Sequence, residues 1–270
     1  MSGRAQTAAL VVTYHTGPRL IECLYALKAD PEISEIVIAD NGNPPEVQAW
    51  LEGFITGCAG QAKLLRLDNP GFGAAVNRAA RETAAERLLV INPDCVIRRG
   101  SAGQLAAALE GAAAPAIVGG RIFGIDGREQ RGARRNTLTL MAALGLSRWT
   151  LENEPPPSGP VAVGAISGAF FLMRRADFEQ LGGFDEGYFL HVEDVDLCRR
   201  ATEAGGSVIY QPAAGALHYT STSDVPSAFV QAQKARSLAR YFRKFAKGPL
   251  ERGMVELAVP FIGLALRLRS

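Results

Sequence analysis

An amide and a carboxylate flank a proline in the segment Asn92-Pro93-Asp94, directly after the apolar run Arg87–Ile91. A carboxylate at the end of a buried strand, beside a rigid proline, can present one oxygen to a divalent cation. Mg²⁺ and Mn²⁺ favour oxygen ligands and often share them with the phosphates of a substrate. A β-turn is the alternative interpretation of the segment. His218, which follows another apolar stretch, would need Asp94 as its partner if it served as a ligand rather than as a core or surface residue.

Acidic and aromatic residues are crowded between Gly183 and Leu197. Adjacent carboxylates raise one another's pKa, and a raised pKa suits a general base. Acids at the start of a helix also complement its dipole, and this alternative accounts for Asp196. It accounts less well for the adjoining Glu193 and Asp194, which we predict to be catalytic.

A glycine turn at 69–73 (Asn-Pro-Gly-Phe-Gly) joins a predicted strand to a predicted helix that carries Asn77. Such a turn lets a phosphate or nucleotide approach the backbone closely. The spacing nearly matches the dinucleotide fingerprint, but Val76 stands where the third glycine belongs, and two strands precede the unit. Two alternatives to the function inferred below therefore stay open: an oxidoreductase, and a nucleotide-sugar-binding protein without catalytic activity.

Alternating strands and helices must position these residues. The first half predicts strands and helices at Ala8–Tyr14, Arg19–Lys28, Glu35–Ala39, Glu46–Phe54, Lys63–Leu67, Gly73–Ala85 and Arg87–Ile91, in the order strand, helix, strand, helix, strand, helix, strand. This alternation is typical of a parallel sheet, in which ligands bind outside the carboxyl ends of the strands. Because Tyr14, Asp40, Asn69 and Asp94 all lie at predicted strand ends, we expect them to share one edge of the sheet.

The second half is less regular. It predicts an apolar strand with small residues within Val161–Arg174, a loop rich in glycine and aromatic residues at Gly182–His191, a helix at Glu193–Ala204 and a long basic helix at Ser227–Lys247. Residues 126–136 are polar and rich in arginine, and no internal repeat divides the chain.

The composition limits the class of protein. The 270 residues are 47% hydrophobic and 21% charged, which is typical of a globular protein, and the net charge of +2 gives no reason to expect nucleic acid as a partner. We find no secretory leader and no apolar run of about 18–20 residues, the length of a membrane span. The four cysteines are widely scattered, which fits reduced thiols in a cytoplasmic protein.

In this order, the motifs resemble those of the family-2 inverting glycosyltransferases of GT-A fold, and specifically the bacterial rhamnosyltransferase-type members. The resemblance extends from about Ala8 to about Lys247. It rests on Val12-Thr13-Tyr14, Ile38-Ala39-Asp40-Asn41, the segment from Asn69 to Asn77, Asn92-Pro93-Asp94, Gly164–Arg174, Gly183–Leu197 and His218. It implies an α/β fold with a Rossmann-like, mostly parallel central sheet flanked by helices. We expect a nucleotide-sugar half at residues 1–120, an acceptor-binding half at 121–225 and a basic helical extension at 226–270.

The same resemblance implies a role for each site residue. Asp94 ligates Mg²⁺ or Mn²⁺ and His218 completes the shell, while Asp194 is the general base with Glu193 beside it. The residues implied to contact the nucleotide or the sugars are Thr13, Tyr14, Asp40, Asn69, Gly71, Gly73, Asn77, Asn92, Ser167, Gly168 and Ala169, with Asp40 reading the edge of a pyrimidine. Many relatives carry a first aspartate where this chain has Asn92.

The implied reaction is a single displacement with inversion at the sugar. We expect a dTDP- or UDP-sugar donor, with dTDP-β-L-rhamnose favoured, and a glycan or polyprenyl-diphosphate-linked saccharide as the acceptor in cell-surface polysaccharide synthesis. Metal-assisted departure of the nucleoside diphosphate and proton removal by Asp194 are the two catalytic requirements.

The C-terminal extension has two interpretations. The segment from Ser227 to Gly248 carries lysines and arginines interleaved with apolar residues and no acid, and Val255–Leu266 is apolar but too short to span a bilayer. A helix packed on the domain with a solvated basic face is one interpretation. A peripheral contact with the inner face of the cell membrane is the other, because basic amphipathic helices bind anionic headgroups.

Overall fold

A nine-stranded sheet runs through the centre of the protein. The structure, a computed structural model, describes residues 6–219 and 225–267, with the backbone alone at 264 and 267. The strands are β1 (Thr7–Thr13), β2 (Glu35–Asp40), β3 (Ala62–Arg66), β4 (Arg87–Ile91), β5 (Cys95–Ile97), β6 (Ala116–Phe123), β7 (Arg134–Arg135), β8 (Val161–Ala162), β9 (Ala165–Ile166), β10 (Phe170–Arg174) and β11 (Ser207–His218). The helices are α1 (Arg19–Ala29), α2 (Pro45–Thr56), α3 (Phe72–Arg81), α4 (Ser101–Glu110), α5 (Leu140–Leu144), α6 (Arg175–Gln180), α7 (Glu193–Glu203), α8 (Ser227–Phe245) and α9 (Gly248–Arg267).

The strand directions confirm the mostly parallel sheet that the sequence predicts. The order is β3-β2-β1-β4-β10-β6-β11-β5, and β8 pairs with β11. The first four strands are mutually parallel. Because β10 is antiparallel to both β4 and β6, and β11 is parallel to β6, these last two strands also point in the common direction. β7 and β9 form a separate two-stranded sheet.

Helices cover both faces of the sheet, which explains the apolar runs in its inner strands. All seven residues of β1 are buried. Their side chains alternate between two cores: Leu10 belongs to the cluster on one face and Val11 to the cluster on the other. Helices α1, α2 and α4 supply the second cluster with Leu24, Leu51 and Leu105. Helices α3, α7, α8 and α9 supply the first with Val76, Leu197, Leu238 and Ile262.

Some elements differ from the sequence prediction. The apolar stretch 161–174 contains three short strands, β8, β9 and β10, because the segment turns twice between them. The expected division at residue 120 falls inside β6, so the two halves share that strand. β5 was not predicted, and the apolar tail is part of a 20-residue helix, α9. Residues 182–191 form neither helix nor strand, as expected. Within the described ranges, no helix is long and apolar enough to cross a membrane.

Candidate active site

The predicted site residues gather at the edge of the sheet where the parallel strands end. β1 ends at Thr13, β2 at Asp40 and β11 at His218, and these strands share one direction. Asp94 follows β4 by a short turn. The alternation of strands and helices therefore predicted the edge correctly, although it did not predict which side chains touch.

The pairing of β5 with β11 brings Asp94 and His218 together. In this antiparallel pair, Cys95 lies opposite His218, and the Tyr219 amide donates a hydrogen bond to the Asp94 carbonyl at 3.2 Å. His218 Nε2 lies 3.3 Å from Asp94 Oδ1, and both side chains are almost buried. Two atoms that bind one small divalent cation are roughly 3 Å apart, so this pair fits a shared ion without rearrangement.

Gln130 fixes the orientation of the His218 ring. Its Oε1 lies 2.7 Å from His218 Nδ1, and its Nε2 donates to the His218 carbonyl at 2.7 Å. If Nδ1 carries the proton, Nε2 keeps its lone pair toward Asp94, which is the arrangement a metal ligand needs. Sequence reasoning missed Gln130, because a single glutamine in a polar, arginine-rich segment carries no signal of its own.

Cys95 lies close to the same pair but offers no thiolate. One ligand atom each from Asp94, Cys95 and His218 lies within 4.8 Å of the others. Burial raises the pKa of the Cys95 thiol well above its ordinary value, so the group stays protonated and is a poor ligand. The donor set is thus one carboxylate oxygen and one imidazole nitrogen, and it fits Mg²⁺ or Mn²⁺ with phosphate oxygens as further ligands. All four cysteines are free and buried.

Asp194 is held at the start of α7 by three hydrogen bonds. Its Oδ2 accepts from Arg135 Nη2 at 2.6 Å and from the Gly168 amide at 2.9 Å, and its Oδ1 accepts from the Val195 amide at 2.8 Å. Burial raises the pKa of Asp194, but the charge of Arg135 and these bonds outweigh burial and lower the pKa below its ordinary value. The carboxylate is therefore ionised at neutral pH.

Glu193 has the opposite protonation state. Its Oε2 is buried and has no hydrogen-bond partner among the described residues. Burial, and then the charge of Asp194, raise the pKa of Glu193 to about 8. At neutral pH the pair thus contains one neutral carboxyl group and one carboxylate. Only Asp194 is ready to accept a proton, and the difference arises from Arg135, which sequence reasoning also missed.

The catalytic pair and the metal-binding end share one cavity of about 740 Å³. Asn92 and His218 lie at one part of its wall, and Ser167, Gly168, Glu193 and Asp194 at another. The wall also contains four cationic residues, Arg131, Arg135, Arg148 and Lys234, and an apolar portion with Leu138, Leu238 and Leu266. The cavity can therefore hold a charged group and an apolar group at the same time.

A second polar cluster lies where β1 and β2 end. Asp40 Oδ1 accepts hydrogen bonds from the Asn43 amide at 2.8 Å and from Asn43 Nδ2 at 2.7 Å, and Asn43 Nδ2 lies 3.3 Å from Thr13 Oγ1. Asn69 Oδ1 lies 3.4 Å from Asn41 Nδ2, which joins the cluster to the glycine turn. Asp40 Oδ2 is buried and makes no hydrogen bond within the described part of the chain. The sequence did not point to Asn43, and the half-buried Tyr14 follows Thr13 at the edge.

The glycine turn packs against the 182–191 loop, and its contact with a nucleotide or sugar stays a prediction. A Cβ atom on Gly71, whose φ is 97°, would lie 2.6 Å from the Phe189 carbonyl oxygen, and one on Gly73 would lie 2.9 Å from Phe184 Cβ. The Phe72 amide donates to that same Phe189 oxygen at 3.0 Å. The glycines therefore admit the 182–191 loop, and the Phe72 amide is already bonded. This geometry removes the main argument for an oxidoreductase.

Asn77 belongs to the same loop contact. Its Nδ2 donates to the Phe184 carbonyl at 2.9 Å and lies 3.0 Å from Glu186 Oε1, while its Oδ1 accepts from the Phe184 amide at 2.9 Å. Because both ends of the amide are bonded within the protein, Asn77 holds the loop in this structure rather than facing the cavity.

The comparison with protein families agrees with this geometry. The model of the family described as "Glycosyl transferase family 2" matches residues 8–182, more than half of the chain. The chain belongs to glycosyltransferase family 2. It is thus an enzyme of the predicted class, and the alternative of a binding protein without activity is not retained.

Two relatives of this glycosyltransferase carry rhamnosyltransferase names. It is 32% identical over 240 residues to the N-acetylglucosaminyl-diphospho-decaprenol L-rhamnosyltransferase of Mycobacterium tuberculosis, an alignment that covers 79% of this chain and 76% of the relative. It is 42% identical over 76 residues to rhamnosyltransferase WbbL of Escherichia coli, which covers 28% of each chain. These matches agree with a rhamnosyltransferase-like member of family 2.

Solved structures share the fold of this family-2 enzyme at low sequence identity. GalNAc-T7, crystallised with UDP, GalNAc and Mn²⁺, superposes with a TM-score of 0.73 at 15% identity, over 92% of this chain and 49% of the other. The mannosyltransferase PcManGT of Pyrobaculum calidifontis, in complex with GDP-Man and Mn²⁺, gives 0.61 at 16% identity, over 99% and 75% of the two chains. The α/β fold with a central sheet flanked by helices is confirmed.

Proposed function

We propose that this enzyme transfers L-rhamnose from dTDP-β-L-rhamnose, with inversion, to a hydroxyl group of a polyprenyl-diphosphate-linked saccharide. The observation that carries the proposal is the ionised Asp194, which lies in the same cavity as His218 and the cationic residues. The names of the two relatives support rhamnose as the sugar, and the name of the mycobacterial one supports the lipid-linked acceptor. Synthesis of a cell-surface glycan is the corresponding process.

In the proposed reaction Asp194 removes the proton of the acceptor hydroxyl as its oxygen attacks C1 of the sugar. The bond between C1 and the diphosphate oxygen breaks at the same time, and the nucleoside diphosphate leaves with the bonding electrons. Gly168 and Arg135 hold the Asp194 carboxylate in place during this step. One displacement on the face opposite the leaving group inverts the anomeric centre.

Asp94 and His218 would hold a Mg²⁺ or Mn²⁺ ion at the other end of the cavity. Such an ion, when bound, neutralises the charge that develops on the leaving diphosphate. Gln130 keeps the imidazole oriented for that role. Asn92, whose Nδ2 lies 3.5 Å from His218 Nε2, offers an amide where many relatives carry a carboxylate, so the ion would depend more strongly on Asp94.

The cluster around Asp40 would bind the base of the donor. The unbonded Asp40 Oδ2 is an acceptor, and thymine and uracil both present an N–H donor on the edge that pairs. An unsatisfied buried acceptor costs free energy, and a matching donor removes that cost. Thr13, Tyr14 and Asn69 line the same region as predicted contacts. The glycines and Asn77 would act on the donor indirectly, through the 182–191 loop.

The acceptor would enter from the side of the helical extension. Arg131, Arg148 and Lys234 supply positive charge for its diphosphate, and Leu238 and Leu266 supply apolar contacts for the first part of its lipid. Ser167 and Gly168 lie on the cavity wall near the base. A polyprenyl acceptor stays in the membrane, so we include in this proposal the predicted peripheral contact at its inner face.

A transfer assay tests the proposal. The enzyme is incubated with Mg²⁺ or Mn²⁺, a short-chain N-acetylglucosaminyl-diphosphate lipid, and dTDP-β-L-rhamnose, UDP-N-acetylglucosamine or GDP-mannose. We expect a product heavier by one deoxyhexose with the first donor alone, and an α-linked rhamnose by NMR. Transfer from UDP-N-acetylglucosamine or GDP-mannose, and none from the dTDP donor, would refute the proposed sugar. Calorimetry should rank dTDP and UDP above GDP.

A further inference from the structure

Helix α9 is apolar on two different faces. Val255, Ala258 and Ile262 are buried against the rest of the protein. On another face, four large apolar side chains are 49–79% exposed: Leu250, Met254, Leu257 and Phe261. A helix with a single covered face normally carries polar residues on its open side, so the open face of α9 has the composition of a face that is covered in use.

The four exposed side chains form one continuous ridge. At 100° and 1.5 Å per residue, they project within an arc of about 60° and extend for about 16 Å along the helix. We call Leu250, Met254, Leu257 and Phe261 the apolar ridge. Contiguous exposed apolar patches mark interaction sites, whereas single exposed apolar residues need no explanation.

Several cations of the basic segment that the sequence emphasised are paired within the protein. On α8, Arg240 and Lys244 pair with Asp185 at 2.7 Å, and Arg243 pairs with Glu256 at 2.7 Å. These charges are therefore largely neutralised within the protein.

Other cations are left for a partner. Within residues 6–219 and 225–267, Arg236, Lys247 and Arg252 are exposed and form no ion pair. Lys247 immediately precedes α9 and Arg252 lies near its start, at the end of the helix where the apolar ridge begins. Glu256, an acid near the ridge, is already bonded to Arg243.

We propose that the apolar ridge is a docking surface for an anionic phospholipid bilayer. A single convex helix with an apolar stripe and flanking cations matches the interface of a bilayer, where side chains enter the acyl boundary and cations meet lipid phosphates. The sequence expectation placed this contact on the basic helix α8. We place it instead on the outer face of α9, because most of the α8 cations are paired within the protein.

The position of the ridge agrees with a lipid-linked acceptor, and this part of the argument rests on the proposed function. Leu266, close to the end of α9, lines the active-site cavity together with Leu238 of α8. Leu266 is five residues beyond Phe261, the last residue of the ridge, or about 8 Å along the helix axis. A lipid anchored in a bilayer under the ridge could present its sugar to Asp194 without leaving the membrane.

Vesicle flotation without any substrate tests the ridge. The probes are vesicles of phosphatidylglycerol and phosphatidylcholine, and the full chain is compared with the double variant Leu257→Glu, Phe261→Glu. Ile125→Glu is the matched control, because Ile125 is 83% exposed on the turn that follows β6, outside α8 and α9. We expect the wild type and the control to float, and the bound fraction of the double variant to fall at least about tenfold, since two large apolar side chains no longer enter the acyl boundary.

A second double variant, Lys247→Glu with Arg252→Glu, should lose binding to vesicles that contain phosphatidylglycerol. Its binding to vesicles of phosphatidylcholine should not differ from that of the wild type. Unchanged flotation of the ridge variant, or no flotation of the wild type, would overturn the proposal. A wild-type dimer in light scattering that the ridge variant converts to a monomer would overturn it too, in favour of a second copy on the ridge. Transfer to a water-soluble short-chain acceptor should be the same in wild type and ridge variant. Wild-type flotation without any transfer would therefore refute the proposed function and leave the ridge in place.

Discussion

The guanidinium group of Arg135 lies 2.6 Å from the carboxylate of Asp194, and the two side chains are only 10% and 13% exposed. Arg135 also donates to the Ile166 carbonyl and lies 4.9 Å from the centre of the Trp149 ring. The ion pair thus connects the small β7–β9 sheet to the start of α7. It keeps the proposed base ionised and fixes its direction, so Arg135 is a positioning residue for the reaction.

Replacement of Arg135 by leucine should change the pH dependence of transfer. Without the guanidinium, only the backbone hydrogen bonds from Gly168 and Val195 oppose the effect of burial, so the pKa of Asp194 rises and the carboxylate becomes protonated at a higher pH than in the wild type. We expect the acidic limb of the profile of kcat/KM against pH to move upward by at least one unit, and kcat at neutral pH to fall about tenfold or more.

Two further variants complete this experiment: Arg135→Lys as the conservative replacement and Arg128→Leu as the control. The lysine keeps the charge and should restore most of the acidic limb, although not the second hydrogen bond. Arg128 is 89% exposed, and its loss should change nothing. A leucine variant with lower activity but an unmoved acidic limb would show that Arg135 is needed for folding of the site alone.

Asp194→Asn should lower the turnover rate by about 10²–10⁴, which is the usual contribution of a general base. The amide oxygen can still accept from Gly168, but the amide nitrogen cannot accept from Val195 and the group cannot take a proton. The change is confined to the base, so the Kd for the donor nucleotide should stay within about twofold. Turnover by rapid quench and Kd by calorimetry separate the two effects. Glu193→Gln is the matched control, because that carboxyl group is already neutral at pH 7. An inactive Glu193→Gln with an active Asp194→Asn would reverse the assigned roles.

Removal of the metal should stop the reaction. Excess chelator should abolish transfer, and added Mg²⁺ or Mn²⁺ should restore it. Asp94→Asn should lower the affinity for Mn²⁺, measured by electron paramagnetic resonance in the presence of the nucleoside diphosphate, by more than about 100-fold. His218→Ala should have a smaller effect, because the diphosphate also holds the ion. Full activity in chelator would rule out the proposed role of Asp94.

Gln130→Leu should weaken the Mn²⁺ site without removing a ligand. The leucine has a similar size but accepts no hydrogen bond from His218 Nδ1, so the ring loses its fixed tautomer and direction. Loss of the hydrogen-bond partner of a metal ligand typically lowers the affinity for the metal about 10–100-fold. Gln130→Glu keeps an acceptor in the same place and should bind Mn²⁺ within a few-fold of the wild type. Equal affinities for all three proteins would limit Gln130 to a structural role.

Glu193 should also make stability depend on pH. The unfolded glutamate titrates near its ordinary pKa of 4.5, and the native one at about 8, so stability is lost as pH rises between these values. The Glu193→Gln variant has no carboxyl group at this position, so its stability does not fall in this way as the pH rises. Because one pKa unit corresponds to about 1.4 kcal/mol, its free energy of unfolding in urea should exceed that of the wild type by about 1–3 kcal/mol at pH 8.

The gain should be much smaller at pH 5, because native Glu193 is protonated there and the pH is only half a unit above the pKa of the unfolded glutamate, so little of the loss has accumulated. Glu179→Gln, at a carboxyl group whose side chain is 64% exposed, serves as the control and should show no such difference between the two pH values. A gain of equal size at pH 5 and pH 8 would mean that Glu193 keeps its ordinary pKa in the folded protein.

The sequence by itself determined the class of fold and the edge of the sheet that carries the site. Apolar runs separated by helical segments require a parallel sheet covered on both faces, and polar residues such as Asp40 and Asp94 directly after those runs must lie at its carboxyl edge. These inferences depend on local periodicity alone, and the structure has the first four strands where they were predicted. The order of the motifs along the chain identified the family.

Only the tertiary structure decided which of these side chains act together. Arg135 meets Asp194 across 59 positions and Gln130 meets His218 across 88, through strand pairings that no local pattern encodes. The turn at Gly71 looked like a phosphate site, yet its glycines make room for Phe189 and the loop around it. The charge state and the burial of a side chain depend on neighbours that are distant in the sequence. The ionised Asp194, the neutral Glu193 and the exposed ridge of α9 therefore cannot be predicted before the chain is folded.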